Sequence, residues 1–450
     1  MPAGGAARAA RDRGHGVRAP SRPARSGAER GRSINLAISA RGLAALDRVG
    51  LRERALKQAL PMHGRMVHPA GGEPNFQPYS ADGARAINSI SRTELNRFLL
   101  DTAEATPGVE LRFAERVTGV DAEAGAVLIE DADPVPASVI LAGDGAFSAV
   151  RRSLRLDHDD TDFLEHAYKE LTVPPRDGGF ALDPDALHIW PRGTSMMIAL
   201  PNLDRSFTCT LFWPRGDLAA LRTPGEITAY FAEHYPDIAG LMPGLVDDYE
   251  RNPVGSLVTV RCEPWVRRGA GATVALLGDA AHAIVPFFGQ GANCAFEDCI
   301  EIDRCLDETG GDWARALALY QERRKVNTDA IAEMALDNFV EMRDRVSSRV
   351  YRAKQAAQHA LERRLAGRYV SRYELVSFST MPYARIPARI RRQNLVLGGA
   401  VLGAAADRGP GRAHRPAGAA LAGRRAGRRR PPTRSATAPP APRGRTAGSR

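Results

Sequence analysis

The sequence predicts an α/β protein that carries an inserted antiparallel β-sheet and ends in a helical segment. Three observations predict this. Apolar runs at 139–142 (VILA) and 273–277 (TVALL) each lead into a Gly-Asp turn and then a helix, Gly143-Asp144 in one case and Gly278-Asp279 in the other. Short β-branched runs of this kind read as strands buried on both faces of an open sheet. Between them, runs at 186–190, 195–200 and 206–212 follow one another across Pro/Gly turns, the pattern of sequential antiparallel strands. After them, 293–308, 313–345 and 350–366 are nearly free of Gly and Pro and read as long helices.

Length and composition bound the answer. A chain of 450 residues can bury a large core, and two domains are the natural expectation. No run of eighteen apolar residues is present, so no membrane span is expected, and the Gly-interrupted run at 395–406 is too short. No apolar signal segment opens the chain. The five cysteines (Cys209, Cys262, Cys294, Cys299, Cys305) have neither a metal-ligand spacing nor a disulfide framework. A reducing, cytoplasmic setting is expected.

The net charge of +10 is unevenly distributed. Residues 1–30 hold seven Arg against Asp12 and Glu29, and residues 407–450 hold twelve Arg against Asp407. The ends therefore carry +5 and +11, and the body between them is mildly acidic at −6. Arg-rich ends can bind nucleic acid or acidic surfaces. Here they are Arg/Ala/Gly/Pro mixtures without Lys, so disorder is expected and no nucleic-acid partner.

Patterned sequence begins at Gly31. An extended segment covers 33–38, and Ser39 is placed to cap a helix over 40–49 that Gly50 stops. A short helix is expected at 51–59 and a strand across 61–69, where Arg65 and His68 stand among apolar neighbours. A strand at 86–90 precedes Ser91-Arg92-Thr93-Glu94, a capping-box pattern that starts a helix over 92–105. Strands follow at 109–113, 116–121 and 126–130, and a helix begins near 148. A helix at 224–234 and a strand at 258–262 close the inserted layer.

The stretch 273–299, TVALLGDAAHAIVPFFGQGANCAFEDC, has the makings of a cofactor site. Asp279 stands at the carboxyl end of a strand, where open α/β sheets place ligands. Pro286, Phe287 and Phe288 form an apolar wall, and Gly289 and Gly291 allow close backbone approach to a flat group. A helix starting near Asn293 turns its positive end to the same place. A carboxylate for hydroxyls, an apolar wall and an anion-favouring helix start suit reduced flavin. Asp279 as a plain turn residue is the competing reading. For His282, a packed and satisfied histidine is preferred to a catalytic one.

The string GDAAHAIVPFFGQG, followed by N-x-x-F-E-D-C, resembles the ribityl-binding segment of the class A flavin-dependent aromatic hydroxylases, and most closely of those acting on L-kynurenine. The resemblance runs from about Gly31 to about Arg385. It implies a Rossmann-like FAD-binding domain, a monooxygenase activity, NADPH and O2 as co-substrates, and a homodimer as one possible assembly. On the cofactor side it implies that Asp279 accepts from ribityl hydroxyls and that the backbone of Ala292 and Asn293 faces the reduced ring. It further implies FAD contacts from Ala37 in GRSINLA, from Arg92 and Val117, and from Asp144 in the Gly143-Asp144-Gly145 turn. An arginine at a positive helix end makes electrostatic sense beside an anion, although a surface ion pair is the alternative for Arg92. On the substrate side, Arg65 and Tyr79 match the carboxylate-binding pair, and Asn338 and Tyr373 match two further polar contacts. No catalytic side chain is implied, since the chemistry is the flavin's.

The family pattern also predicts an initial strand, G-x-G-x-x-G and helix, which residues 1–30 do not display, and Met where Ala292 stands. The expected organisation is a low-complexity 1–30, an FAD-binding domain over 31–155 and 263–310, a substrate domain over 156–262, a helical region over 311–394 and a tail over 395–450. Two other readings compete: a hydroxylase-like chain that holds no FAD, and a hydroxylase of another aromatic substrate.

Overall fold

A seven-stranded sheet forms the largest layer, and its composition explains where the site sits. The structure is a computed structural model and describes residues 14–18, 35–80, 82–345, 349–365 and 368–407. The sheet order is Gly255–Glu263, His158–Val173, Phe207–Pro214, Ser195–Pro201, Ala186–Arg192, Gly64–Val67 and Asn75–Pro78. Successive side chains point to opposite faces of a strand, and here both faces are covered. Trp190, Met197 and Leu211 pack with Phe231, Tyr235 and Ile238 of the helices that follow the sheet. Their neighbours Ile189, Met196 and Phe212 pack on Phe287, Phe288 and Phe339. Each fully buried side chain of this size contributes about 1.5–3 kcal/mol. The second face is thereby held against the P-F-F segment.

The antiparallel pairing of the three middle strands agrees with the sequence reading. The sheet differs from that reading in what else it recruits. Gly64–Val67 joins it by parallel pairing, Arg65 opposite Leu187, and brings Asn75–Pro78 with it. The seven-stranded sheet therefore draws strands from outside 156–262. The single strand expected at 61–69 is two, because Ala59–Met62 pairs in another sheet with Ile87–Ser91. The chain crosses between sheets at His63 and Gly64. A Cβ on Gly64 would lie 2.5 Å from the Phe76 ring and 2.6 Å from the Gln77 carbonyl, so only glycine fits the crossing. The sixteen-residue strand His158–Val173 has no sequence signal, as its exposed HDDTD start lacks apolar alternation. It is imposed by pairing on both sides.

The α/β layer is smaller. Val139–Ala142 pairs in parallel with Thr273–Leu276, as expected of two buried strands, and Val266–Arg268 adds an antiparallel edge. Val274, Ala275 and Leu276 are fully buried there against Leu317 and Tyr320. Within the segment expected to be disordered, Gly14–Arg18 instead forms a strand parallel to Val109–Phe113. G-H-G-V-R has one strongly apolar residue, so the partner strand rather than local pattern determines it. The other expectations for residues 1–30, including the absent glycine motif, lie largely outside the described residues, as do Gly31 to Ile34 of GRSINLA.

Local signals hold at several helix starts. Ser91 accepts from Glu94 N at the head of Arg92–Glu104, and Thr223 and Glu226 form a reciprocal capping box on Pro224–His234. Ser39 precedes Ala40–Arg48 but does not cap it, because its hydroxyl turns to Gln290 at 3.5 Å. The helices Trp313–Val340, Arg349–Arg364 and Arg372–Ser377 follow. Ile386–Asp407 runs across the expected 394/395 boundary. No helix among the described residues is long and apolar enough to cross a membrane.

Candidate active site

Two halves meet at the P-F-F segment. The cofactor half begins at Gly278, whose φ of 57° lets the chain leave Thr273–Leu276 sharply into the single turn Asp279–His282. A buried network fixes this turn from behind. Asp298, fully buried, accepts from Gly278 N at 2.9 Å and pairs with His282 Nε2 at 2.6 Å through one oxygen. Its other oxygen accepts from Arg324 Nε at 2.8 Å. Burial alone would raise the Asp298 carboxyl, but His282 and Arg324 outweigh it and hold it below the ordinary carboxylate range. His282 is thus a packed, satisfied histidine, as preferred from the sequence.

Asp279 differs from Asp298 in every respect. It is exposed and makes no hydrogen bond among the described residues. Its Oδ1 lies 4.0 Å from where a Cβ on Gly291 would stand. Gly291 begins the helix Gly291–Glu308, two residues before the expected start at Asn293. The open carboxylate and the open helix start therefore face one space, and a side chain at 291 would enter it. Ala292 is half-buried in the first turn.

Asn293 has a role that the sequence did not suggest. Its Oδ1 accepts from Ser39 N at 2.9 Å and Gly42 N at 3.2 Å, and its Nδ2 donates to the carbonyls of Ala37 at 2.8 Å and Gly289 at 2.7 Å. The side chain laces Asn35–Ile38 to the glycine turn, leaving only its backbone for a ligand. Gly289, at φ 63°, could not carry a Cβ without meeting Ala37 Cβ at 2.9 Å. Gln290 is held by Tyr383, whose hydroxyl donates to Oε1 at 2.8 Å.

The residues expected to bind substrate lie across the wall. Arg65 and Tyr79 are almost fully buried. The Arg65 guanidinium carbon stands 4.3 Å from the Tyr373 ring centre and 5.8 Å from that of Tyr79. The two tyrosine rings stack at 5.0 Å, and Tyr373 stacks on Phe288 at 5.8 Å. Asn338 Nδ2 donates to the Phe287 carbonyl at 2.7 Å, and Phe287 stacks on Phe339 at 4.2 Å. Tyr373 and Asn338 therefore meet Phe288 and Phe287, and Arg65 and Tyr79 are joined to this wall through Tyr373. Ala37 packs in the same cluster as Tyr79 and Tyr373, joining the halves. Burial first, and the nearby Tyr373, push the Tyr79 hydroxyl well above its ordinary pKa despite Arg65, so it stays protonated.

Three expected cofactor residues take no part in these contacts. Arg92 is exposed on the first turn of its helix, without an ion-pair partner among the described residues. Val117 opens a strand opposite Ile129 and packs on the α/β core. Asp144 is engaged as a helix cap, accepting from Ser148 Oγ at 2.6 Å, Ala149 N at 2.8 Å and Val150 N at 3.1 Å.

The cofactor half fits a flavin's ring and ribityl portion. It offers an open carboxylate, an open helix N-terminus of eighteen residues and a glycine cradle against an aromatic wall. Sequence reasoning missed the residues behind it. Asp298 was visible only as part of F-E-D-C, and Arg324 lies in a helical charge run with nothing to mark it as buried. Arg41 was also missed; buried, it donates to Glu297 at 2.6 Å and lies 3.7 Å over the Tyr383 ring.

Comparison with known proteins identifies the fold and the family. A family model described as an FAD binding domain matches residues 26–335. Among solved structures, 2-methyl-3-hydroxypyridine-5-carboxylic acid oxygenase superposes with a TM-score of 0.60 at 18% identity, covering 75% of this chain and 87% of that one. A probable FAD-dependent monooxygenase from Pseudomonas aeruginosa superposes at 0.59 and 20% identity, covering 77% and 92%. At these identities the likeness shows the fold alone. The chain is by class an FAD-dependent aromatic hydroxylase. Sequence relatives narrow this: kynurenine 3-monooxygenase of Myxococcus xanthus is 50% identical over 365 residues, 78% of each chain. That of Dictyostelium discoideum is 45% identical over 383 residues, covering 81% of this chain and 83% of the relative. That of Stenotrophomonas maltophilia is 42% identical over 387 residues, covering 83% and 84%. The chain belongs to the kynurenine 3-monooxygenase family.

Proposed function

We propose that this chain hydroxylates L-kynurenine at ring carbon 3, a step of tryptophan degradation, with NADPH as reductant and O2 as oxygen source. Bound FAD supplies the redox chemistry, reduction by NADPH and activation of O2. The chain's own residues bind, orient and exclude water. Asp279 would accept from ribityl hydroxyls, and the first turn at Gly291, Ala292 and Asn293 would favour negative charge on the reduced ring. Arg92 and Ala37 would complete the FAD contacts. Val117 is assigned a backbone contact, and Asp144 an indirect one through the helix that it caps.

Arg65 would bind the substrate carboxylate. Its face is stacked on Tyr373, whereas a carboxylate is bound by the N–H edge of a guanidinium. Tyr79 and Tyr373 would border the amino-acid group, and Asn338 would hold the Phe287 carbonyl and so the wall beside the aromatic ring. The substrate's own aniline nitrogen activates the neighbouring ring carbon, so no side-chain base is required. The clustering of Arg65 and Tyr79 on Tyr373, with Tyr373 and Asn338 against Phe288 and Phe287, is the observation that carries this reading.

Substrate-dependent NADPH oxidation by the FAD-loaded chain tests it. L-kynurenine should stimulate oxidation, whereas an aminophenyl ketone without the amino-acid group should not. Equal stimulation by both would remove Arg65 from the site.

A further inference from the structure

One buried arginine ties the helix that carries Tyr373 to the cofactor half. Arg41 is fully buried in the first turn of Ala40–Arg48. That turn is fixed on the helix beginning at Gly291. Asn293 Oδ1 accepts from Ser39 N and Gly42 N, on either side of Arg41, and a Cβ on Gly42 would stand 2.5 Å from the same oxygen. From this fixed base the guanidinium reaches two segments. Its Nη1 donates to Glu297 Oε1 at 2.6 Å, on Gly291–Glu308. Its Nε donates to the Val376 carbonyl at 3.1 Å, and its Nη2 to the carbonyls of Leu375 at 3.5 Å and Met381 at 2.6 Å.

These carbonyls are ones that a helix cannot satisfy by itself. The last turn of a helix leaves its C=O groups without intrahelical partners, and Leu375 and Val376 belong to the last turn of Arg372–Ser377. A helix of six residues has little stability of its own, so its place depends on bonds from outside. Its amino end is held separately, by Arg372 on Asp337 at 3.1 Å and by Glu374 on Arg85 at 2.9 Å. At the carboxyl end, a guanidinium presents its donors in one rigid plane. The Tyr383 ring, 3.7 Å from the guanidinium carbon, sets that plane. The charge is also balanced. Glu297 Oε2 accepts from Arg324 Nη1 at 3.2 Å, and Arg324 Nε donates to Asp298. Asp298, Arg324, Glu297 and Arg41 thus alternate in sign between the Gly278-Asp279 turn and the Tyr373 helix, and each is largely buried.

We propose that Arg41 is a positioning residue that sets Tyr373, and through it Arg65, relative to the cofactor helix. It acts through Tyr373 rather than on substrate or cofactor. Tyr373 lies just under one turn before Val376, so fixing the Val376 carbonyl fixes the base of the ring that stacks on Phe288, Tyr79 and Arg65. Without the guanidinium, the carboxyl end of Arg372–Ser377 loses its partners. Arg324 still holds Glu297 and Asp298, so the cofactor helix stays in place. Only the kinetic consequence rests on the reading of Tyr373 and Arg65 as substrate contacts.

Hydrogen exchange of the full chain tests the tie. Arg41→Lys keeps a charge beside Glu297 but cannot span both segments. It should speed exchange over 375–385 by about tenfold and leave 207–214 unchanged. Glu297→Gln, which removes the charge that anchors the guanidinium, serves if the first variant does not fold. FAD titration of the same variant should give a Kd within about twofold of the parent. In the FAD-loaded enzyme the L-kynurenine KM should rise about tenfold with kcat within about threefold. Exchange over 375–385 that is unaltered, or that rises equally over 207–214, would overturn the proposal. This readout needs no turnover, so it decides the tie even if L-kynurenine is not the substrate. A KM unchanged here but raised in Arg65→Ala would overturn the positioning of Tyr373, whereas a KM unchanged in both would overturn the reading of the site.

Discussion

The guanidinium of Arg65 stacks on the ring of Tyr373, 4.3 Å from its centre, although the two residues come from opposite ends of the chain. Arg65 arrives on a strand recruited into the seven-stranded sheet, and Tyr373 on the short helix Arg372–Ser377. A cation held over an aromatic face keeps its plane fixed, and a planar fork recognises a carboxylate through two parallel bonds. Arg65→Ala should therefore raise the L-kynurenine KM by about tenfold or more. Arg65→Lys should restore little, because a lysine neither stacks as a plane nor binds bidentately. Steady-state kinetics on both variants check this, and full rescue by lysine would contradict the stacking argument.

Tyr79 should separate stability from binding. Its hydroxyl is buried without a well-formed hydrogen bond, an arrangement that costs about 1–3 kcal/mol of desolvation. Tyr79→Phe should leave the melting temperature unchanged or raise it while weakening substrate binding. A lowered melting temperature would mean that the hydroxyl is satisfied in solution.

The two aspartates of the cofactor half should behave oppositely. Asp279 is exposed and holds nothing in the protein, so Asp279→Asn should keep the fold and lower FAD affinity by about tenfold. Asp298 sits between His282, Arg324 and Gly278, so Asp298→Asn should cost about 3–5 kcal/mol by removing the buried charge that both His282 and Arg324 face and leaving Arg324 with Glu297 alone. Denaturant melts and flavin titrations of the two variants would show the contrast.

Acid should weaken the fold through His188. Burial holds its folded value at about 4 against an ordinary 6.5. Between these values the unfolded chain binds the proton and the folded chain does not. Stability from this group is therefore full above pH 6.5 and falls as pH drops toward 4, by up to about 3 kcal/mol. His188→Gln should flatten that part of the stability profile. An unchanged slope would place the titration elsewhere.

Much of the site was legible because its chemistry is written in contiguous strings. The turn at Gly278-Asp279, the P-F-F wall and the glycine pair are local, and their backbone forms follow from residue type. Arg65, Tyr79, Asn338 and Tyr373 were legible only through family resemblance, since nothing in their neighbourhoods announces a shared pocket. What stayed hidden was set by distant partners. The backbone of Asn293 is the part expected at the flavin, and what its side chain does was not legible: its amide ties Ser39, Gly42, Ala37 and Gly289 together. The cap that Asp144 forms on the next helix was likewise not legible. The strand His158–Val173 begins with charged residues and is made by its neighbours. His68 and His188 meet at 2.9 Å through a parallel strand pairing between segments more than a hundred residues apart.

The most direct test of the account is product analysis under 18O2 with the FAD-loaded chain, NADPH and L-kynurenine. The account predicts 3-hydroxykynurenine carrying one labelled oxygen atom. NADPH oxidation without a labelled hydroxylated product, or a flavin-loaded chain inert toward L-kynurenine, would contradict it.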